Sequence, residues 1–117
     1  MRVLVVDDSK INIKVAQKML EHEDVEVDTA LSGSECLEKI RNNNYDIIFM
    51  DIMMPEMDGV ETFRRLKEIP EFKSGVVALT ADAKTGAREK YLGLGFDGYI
   101  AKPINLEELR LILNKYK

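Results

Sequence analysis

Five polar residues stand where short apolar runs end. Asp7 and Asp8 follow "VLVV", Asp51 follows "IIFM", Thr80 follows "VVAL", and Lys102 follows "GYIA". Asp51 is the sharpest case, because Ile52, Met53 and Met54 come directly after it. An unpaired carboxylate in apolar surroundings is costly. Asp51 must therefore face a partner at a strand end, or be there to react. Two carboxylates ~4 Å apart repel by about 4 kcal/mol at an effective dielectric near 20. Three brought together need compensation. Lys102 offsets one charge, and a hard divalent cation suits the rest. Mg2+ takes oxygen ligands, keeps several waters, and is held by one or two carboxylates plus phosphate oxygens. Such a site suits phosphoryl chemistry, with Asp51 as a nucleophile that forms an acyl phosphate. The equatorial oxygens would be met by the cation, the Lys102 ammonium, and the Thr80 hydroxyl or a backbone amide. Pro55 and Gly59 predict a shaped loop after Asp51 that brings backbone amides close.

These residues can meet only if the elements carrying them are adjacent. Apolar runs at residues 3–6, 25–30, 47–50, 76–79 and 98–101 predict five strands. The first, third and fourth are nearly continuous, as in strands buried on both faces of a parallel sheet. The second, "VEVDTA", alternates and suits an edge. Between the runs the apolar period becomes helical. The predicted stripes are Ile11, Val15 and Met19; Leu37 and Ile40; Val60, Phe63 and Leu66; Ala87, Tyr91 and Leu94; and Leu106, Leu109, Ile112 (or Leu113) and Tyr116. Ile13 falls opposite the first stripe and is predicted to be exposed. Ser32 with Glu35, Asp58 with Glu61, and Asn105 with Glu108 are helix-start signals. Gly93, Gly95 and Gly98 mark the end of the fourth helix. Residues 42–44 and 70–75 read as loops.

The pattern is strand–helix repeated five times, which predicts an α/β fold with a parallel sheet and helices on both faces. In such sheets ligands bind beyond the carboxyl ends of the strands, where strand order reverses. With the second strand at the edge beside the first, the order is 2-1-3-4-5. The reversal then falls between strands one and three, where Asp7, Asp8 and Asp51 end. The second strand, followed only by Leu31 and Ser32, is the one moved away. Each residue alone has an ordinary alternative: a turn or cap Asp, a β-forming Thr, a solvated Lys. Those readings would have to hold together at four of the five strand ends.

The remaining composition narrows the classes. A chain of 117 residues suggests one domain, residues 1–117, with one core. Net charge is -4, which argues against nucleic acid as a direct partner. One cysteine, Cys36, allows no internal disulfide and fits a reducing, cytoplasmic setting. No apolar run approaches the ~20 residues of a spanning helix, so no membrane contact by this domain is expected. Cys36 reads as a core-facing helix residue. His22, without Cys or His company, reads as surface. Met53, Met54 and Met57 read as loop cover.

Four segments resemble the motifs of the receiver domain of two-component response regulators, in order and over the whole chain. "VLVVDDS" is similar to the first strand with its acidic pair. "DIIFMDIMMPEMDG" is similar to the phosphorylation segment, with Asp51 as acceptor. "VVALTADA" carries the switch threonine, Thr80. "GYIAKPI" carries the aromatic switch residue Tyr99, the lysine Lys102 and Pro103. The style of these motifs most resembles receivers of hybrid sensor histidine kinases and phosphorelays, either as part of such a kinase or as a stand-alone regulator.

The resemblance implies a flavodoxin-like, doubly wound sheet. It implies a phosphoryl group arriving from a phosphohistidine of a histidine kinase or phosphotransfer protein. Mg2+ (or Mn2+) would be held by Asp8, Asp51 and the Met53 carbonyl, with Asp7 acting mainly through water. Lys102–Pro103 would be cis. Thr80 and Tyr99 would move on phosphorylation and bias a surface of the fourth helix, fifth strand and fifth helix, read by a downstream output protein or domain. Met53 and Asp82 would tune the lifetime of the phosphoryl group. Ile13 would help dock a partner's helices. The domain would be a phospho-acceptor that assists its own phosphorylation and dephosphorylation, not a turnover enzyme.

Three rivals are weaker. An aspartate-nucleophile phosphatase usually has a second Asp two residues after the nucleophile, where Met53 stands. A flavin-binding module needs a Ser/Thr/Gly-rich loop after the first strand, whereas "DDSKIN" is acidic. A receiver that only binds partners would not need Asp8, Asp51, Thr80 and Lys102 intact.

Overall fold

Val3 to Val6, all of residues 47–51 and all of residues 75–80 are buried. That follows from helices covering both faces of the sheet they form. A computed structural model describes residues 1–81 and 84–117. The order is β1 (Arg2–Val6), α1 (Lys10–Leu20), β2 (Glu26–Ala30), α2 (Gly33–Asn42), β3 (Ile47–Asp51), α3 (Gly59–Lys67), β4 (Gly75–Thr80), α4 (Ala87–Gly93), β5 (Gly98–Ala101) and α5 (Leu106–Tyr116). The sheet is parallel, with order β2-β1-β3-β4-β5. The predicted doubly wound fold and strand order are therefore observed.

Alternation along the strands divides the core in two. Leu4, Val6, Ile48, Met50, Val76 and Ala78 point to one face, with Cys36, Phe63, Leu66, Tyr91 and Phe96. Val3, Val5, Ile47, Phe49, Val77 and Leu79 point to the other, with Ile13, Ala16, Leu20, Leu109 and Leu113. The helix starts follow the predicted chemistry. The side chains of Ser32, Asp58 and Asn105 accept backbone N–H groups at the starts of α2, α3 and α5. Gly95 has φ +111°, the left-handed conformation expected after α4.

The predicted face of α1 is wrong. Ile11 is 74% exposed and Val15 45%, whereas Ile13 is buried with Ala16 and Leu20. Both stripes have helical spacing. The winning one contains Ala16, whose short side chain lets α1 approach the sheet, and Leu20, which is wholly buried. Leu94 also leaves its predicted stripe, because α4 ends at Gly93 and Leu94 is half exposed. In α5, Leu113 takes the fully buried position and Ile112 packs at its margin.

At the amino end of the strands, the Tyr116 ring lies where a Cβ on Gly75 would collide with it. Met1, Asp24, Asp46, Tyr116 and Lys117 line one hollow there. Among the described residues no helix is long and apolar enough to cross a membrane.

Candidate functional site

β1 and β3 are neighbours, and they end in register at Val6 and Met50. The chain therefore delivers Asp7, Asp8 and Asp51 side by side. Each of the three offers a carboxylate oxygen within 4.8 Å of the others. Asp7 and Asp51 are buried, while Asp8 is exposed. β5 supplies the cation. Lys102 Nζ lies 3.0 Å from Asp7 Oδ2 and 3.1 Å from Asp51 Oδ1. The backbone fixes its approach, because the Lys102 N–H donates to the Thr80 carbonyl at 2.8 Å. The next peptide bond, Lys102–Pro103, is cis.

Local structure holds the carboxylates. The Ser9 N–H donates to Asp7 Oδ1 at 2.9 Å, and the Ser9 side chain accepts from the Asn12 N–H to start α1. The Met53 N–H donates to Asp51 Oδ1 at 3.3 Å. After Met53 the loop returns on itself, and the Gly59 N–H donates to the Ile52 carbonyl at 2.9 Å. A Cβ on Gly59 would strike the Asp51 carbonyl oxygen and lie 2.7 Å from Ile52 Cα. Glycine is thus required where α3 starts against the backbone of Asp51.

One ammonium does not balance three carboxylates. Burial, and then the charge of Asp7, push the Asp51 carboxyl up to about 6, against the opposing pull of Lys102. Burial also disfavours the Lys102 ammonium, but its bonds to Asp7 and Asp51 and their charges outweigh this and hold its pKa above the ordinary value. The site is short of positive charge, and its donors are hard carboxylate oxygens. That donor set fits a divalent cation of the Mg2+ type.

The other predicted residues take distinct positions. Thr80 is buried at the end of β4, next to β3. Tyr99 is half-buried on β5, its ring stacked on Tyr91 with centroids 6.0 Å apart. The Met53 residue is 74% exposed at the mouth of the site. Asp82 lies outside the described residues. His22 is exposed and Cys36 is buried. Two features escaped the sequence reading. Ser9 orients Asp7, and its signal was a serine just before a helical period. Phe96 joins Tyr91 to Phe63, which periodicity could not find because Phe96 lies in the loop after α4.

A sequence model described as response regulator receiver domain matches residues 3–114. The chain is 40% identical over 122 residues to hybrid signal transduction histidine kinase L of Dictyostelium discoideum, covering 98% of this chain and 7% of that protein. It is 38% identical over 118 residues to the signal transduction histidine-protein kinase BarA of Escherichia coli, covering 100% of this chain and 13% of that protein. Both relatives are therefore many times longer than this chain. Among solved structures, the response regulator TrrA of Thermotoga maritima, in complex with Mg2+ and BeF, superposes with a TM-score of 0.85 at 31% identity. That match covers 99% of this chain and 98% of the other. The chain belongs to the response regulator receiver domain family, and its relatives include the receiver domains of hybrid histidine kinases.

Proposed function

We propose that Asp51 accepts a phosphoryl group from a phosphohistidine of a histidine kinase or histidine phosphotransfer protein, in a Mg2+-dependent reaction. The observation that carries this reading is Asp51 itself: a buried carboxylate at a strand end, 3.1 Å from Lys102 Nζ and beside two further carboxylates. An Asp51 oxygen attacks phosphorus, the P–N bond to the donor imidazole breaks, and its electron pair stays on that nitrogen. A bound divalent cation would supply charge neutralisation on the phosphoryl oxygens, held by Asp7, Asp8, Asp51 and the Met53 carbonyl. Lys102 takes a second oxygen and thereby turns from the carboxylates to the phosphoryl group. Thr80 meets a third, and the Met53 N–H stays directed at the acceptor.

The resulting change at Thr80 and Tyr99 biases the surface of α4, β5 and α5 toward a downstream output protein or domain. The domain assists its own phosphorylation and dephosphorylation and does not turn over an external substrate. Exposed Ile11 and Val15, with the apolar hollow of Val15, Pro103 and Ile104 beside Lys102, suit the helices of a phosphotransfer partner. These residues replace Ile13, whose burial removes it from any docking role.

The test is intact mass after incubation with Mg2+ and a small acyl-phosphate donor. One phosphoryl group is expected in the wild type. None is expected in Asp51→Asn or when Mg2+ is withheld. Equal gain in Asp51→Asn would overturn the assignment, and steady hydrolysis of phosphate esters would favour a phosphatase.

A further inference from the structure

Tyr99 is held by a stack of rings that leads away from β5 and back toward Asp51. Tyr99 stacks on Tyr91 of α4, with centroids 6.0 Å apart and planes 11° apart. Tyr91 meets Phe96 edge-on at 6.0 Å and 87°. Phe96 stacks on Phe63 of α3 at 4.1 Å and 20°. Tyr91, Phe96 and Phe63 are all buried. Gly95, at φ +111°, turns the chain so that Phe96 reaches Phe63. A Cβ on Gly95 would sit only 3.3 Å from the Phe63 ring. Phe63 lies one helical turn after Gly59, which is wedged against the Asp51 carbonyl. Asp51 is thus joined to Tyr99 by a route that runs along the first turn of α3 and through three rings.

We infer that Tyr91 and Phe96 are positioning residues, which couple the placement of α3 against Asp51 to the placement of the Tyr99 ring. Buried rings in close stacks have few intermediate arrangements, so a shift at one end favours a repacking at the other rather than a graded drift. Charge arriving on Asp51 acts on the loop that Gly59 closes. α3 transmits that displacement to Phe63, and the stack transmits it to Tyr99. Coupling between sites is reciprocal. Breaking the stack must therefore change how tightly the Asp51 site holds a phosphoryl-like ligand, although no ring in it touches that ligand. This inference rests on the phospho-acceptor reading of Asp51.

The experiment uses the whole chain, with Mg2+ and beryllofluoride as the ligand. Fluorotyrosine labelling reports the Tyr99 ring by 19F NMR, and titration gives the beryllofluoride affinity. In the wild type the ligand should shift the Tyr99 resonance. Tyr91→Leu, which removes the ring stacked on Tyr99, should change beryllofluoride affinity on the order of fivefold and shrink the Tyr99 response. Tyr91→Phe, which keeps the ring, should restore both. Phe96→Leu is the second break and should act like Tyr91→Leu. A purely structural role would lower thermal stability and leave both readouts unchanged in the folded variants, and that result would overturn the inference while the acceptor reading stands. A wild type with no Tyr99 response to the ligand would instead sink the switch reading, and the ring coupling with it.

Discussion

Asp51 is a carboxylate that the native fold makes less comfortable than water does. Its pKa is about 6 against an ordinary 3.8. The native state therefore binds this proton more readily than the unfolded chain. Stability from this group is fully present below the ordinary value and is lost as pH rises through 6. Asp51→Asn removes the penalty. At about pH 7.5, without divalent cations, the variant should be more stable by about 1–3 kcal/mol, or several degrees in Tm. The gap should close as pH falls toward about 4, and Mg2+ should narrow it at neutral pH by stabilising the wild type more than the variant, which lacks one carboxylate ligand. Denaturant melts at several pH values check this, and a gap that widens at low pH would contradict it. Met53 presents a second residue-scale test. It stands exposed at the mouth of the site, so Met53→Asn should alter the dephosphorylation rate of phospho-Asp51 without unfolding the domain. An unchanged rate would remove Met53 from any role in the phosphoryl lifetime.

At the scale of elements, α1 separates fold from recognition. Ile13 is buried against the sheet, so Ile13→Asp places a charge in the core and should cost several kcal/mol, leaving little folded protein. Ile11→Asp, on the exposed face, should fold normally and accept phosphoryl groups from a small donor, yet lose transfer rate from a protein donor. Circular dichroism separates the first outcome, and the two donors separate the second. The same helix shows what the sequence could not decide. Strand order and the meeting of Asp7, Asp8, Asp51 and Lys102 were legible, because continuous apolar runs and strand-end polar residues leave few arrangements. The face of α1 was not, because two apolar stripes at helical spacing compete, and the outcome depends on how closely Ala16 lets the helix approach. The aromatic stack was also hidden, because its rings come from α3, α4, a loop and β5, and no local period joins them.

At the scale of the molecule, Cys36 gives a direct measure of cooperativity. Its thiol is wholly buried, and burial pushes its pKa up to about 12. A thiol reagent should therefore label the native protein only through opening of the core, and ligand binding at Asp51 should slow labelling. Labelling at the rate of a free thiol would mean that the α2 side of the core opens independently. The hollow lined by Met1, Tyr116 and Lys117 has another consequence. The ring of Tyr116 rests on Gly75 at the start of β4, whereas Asp51 ends β3. Met1 and Lys117 thus border one end of the sheet, and the carboxylates of Asp7, Asp8 and Asp51 gather at the other.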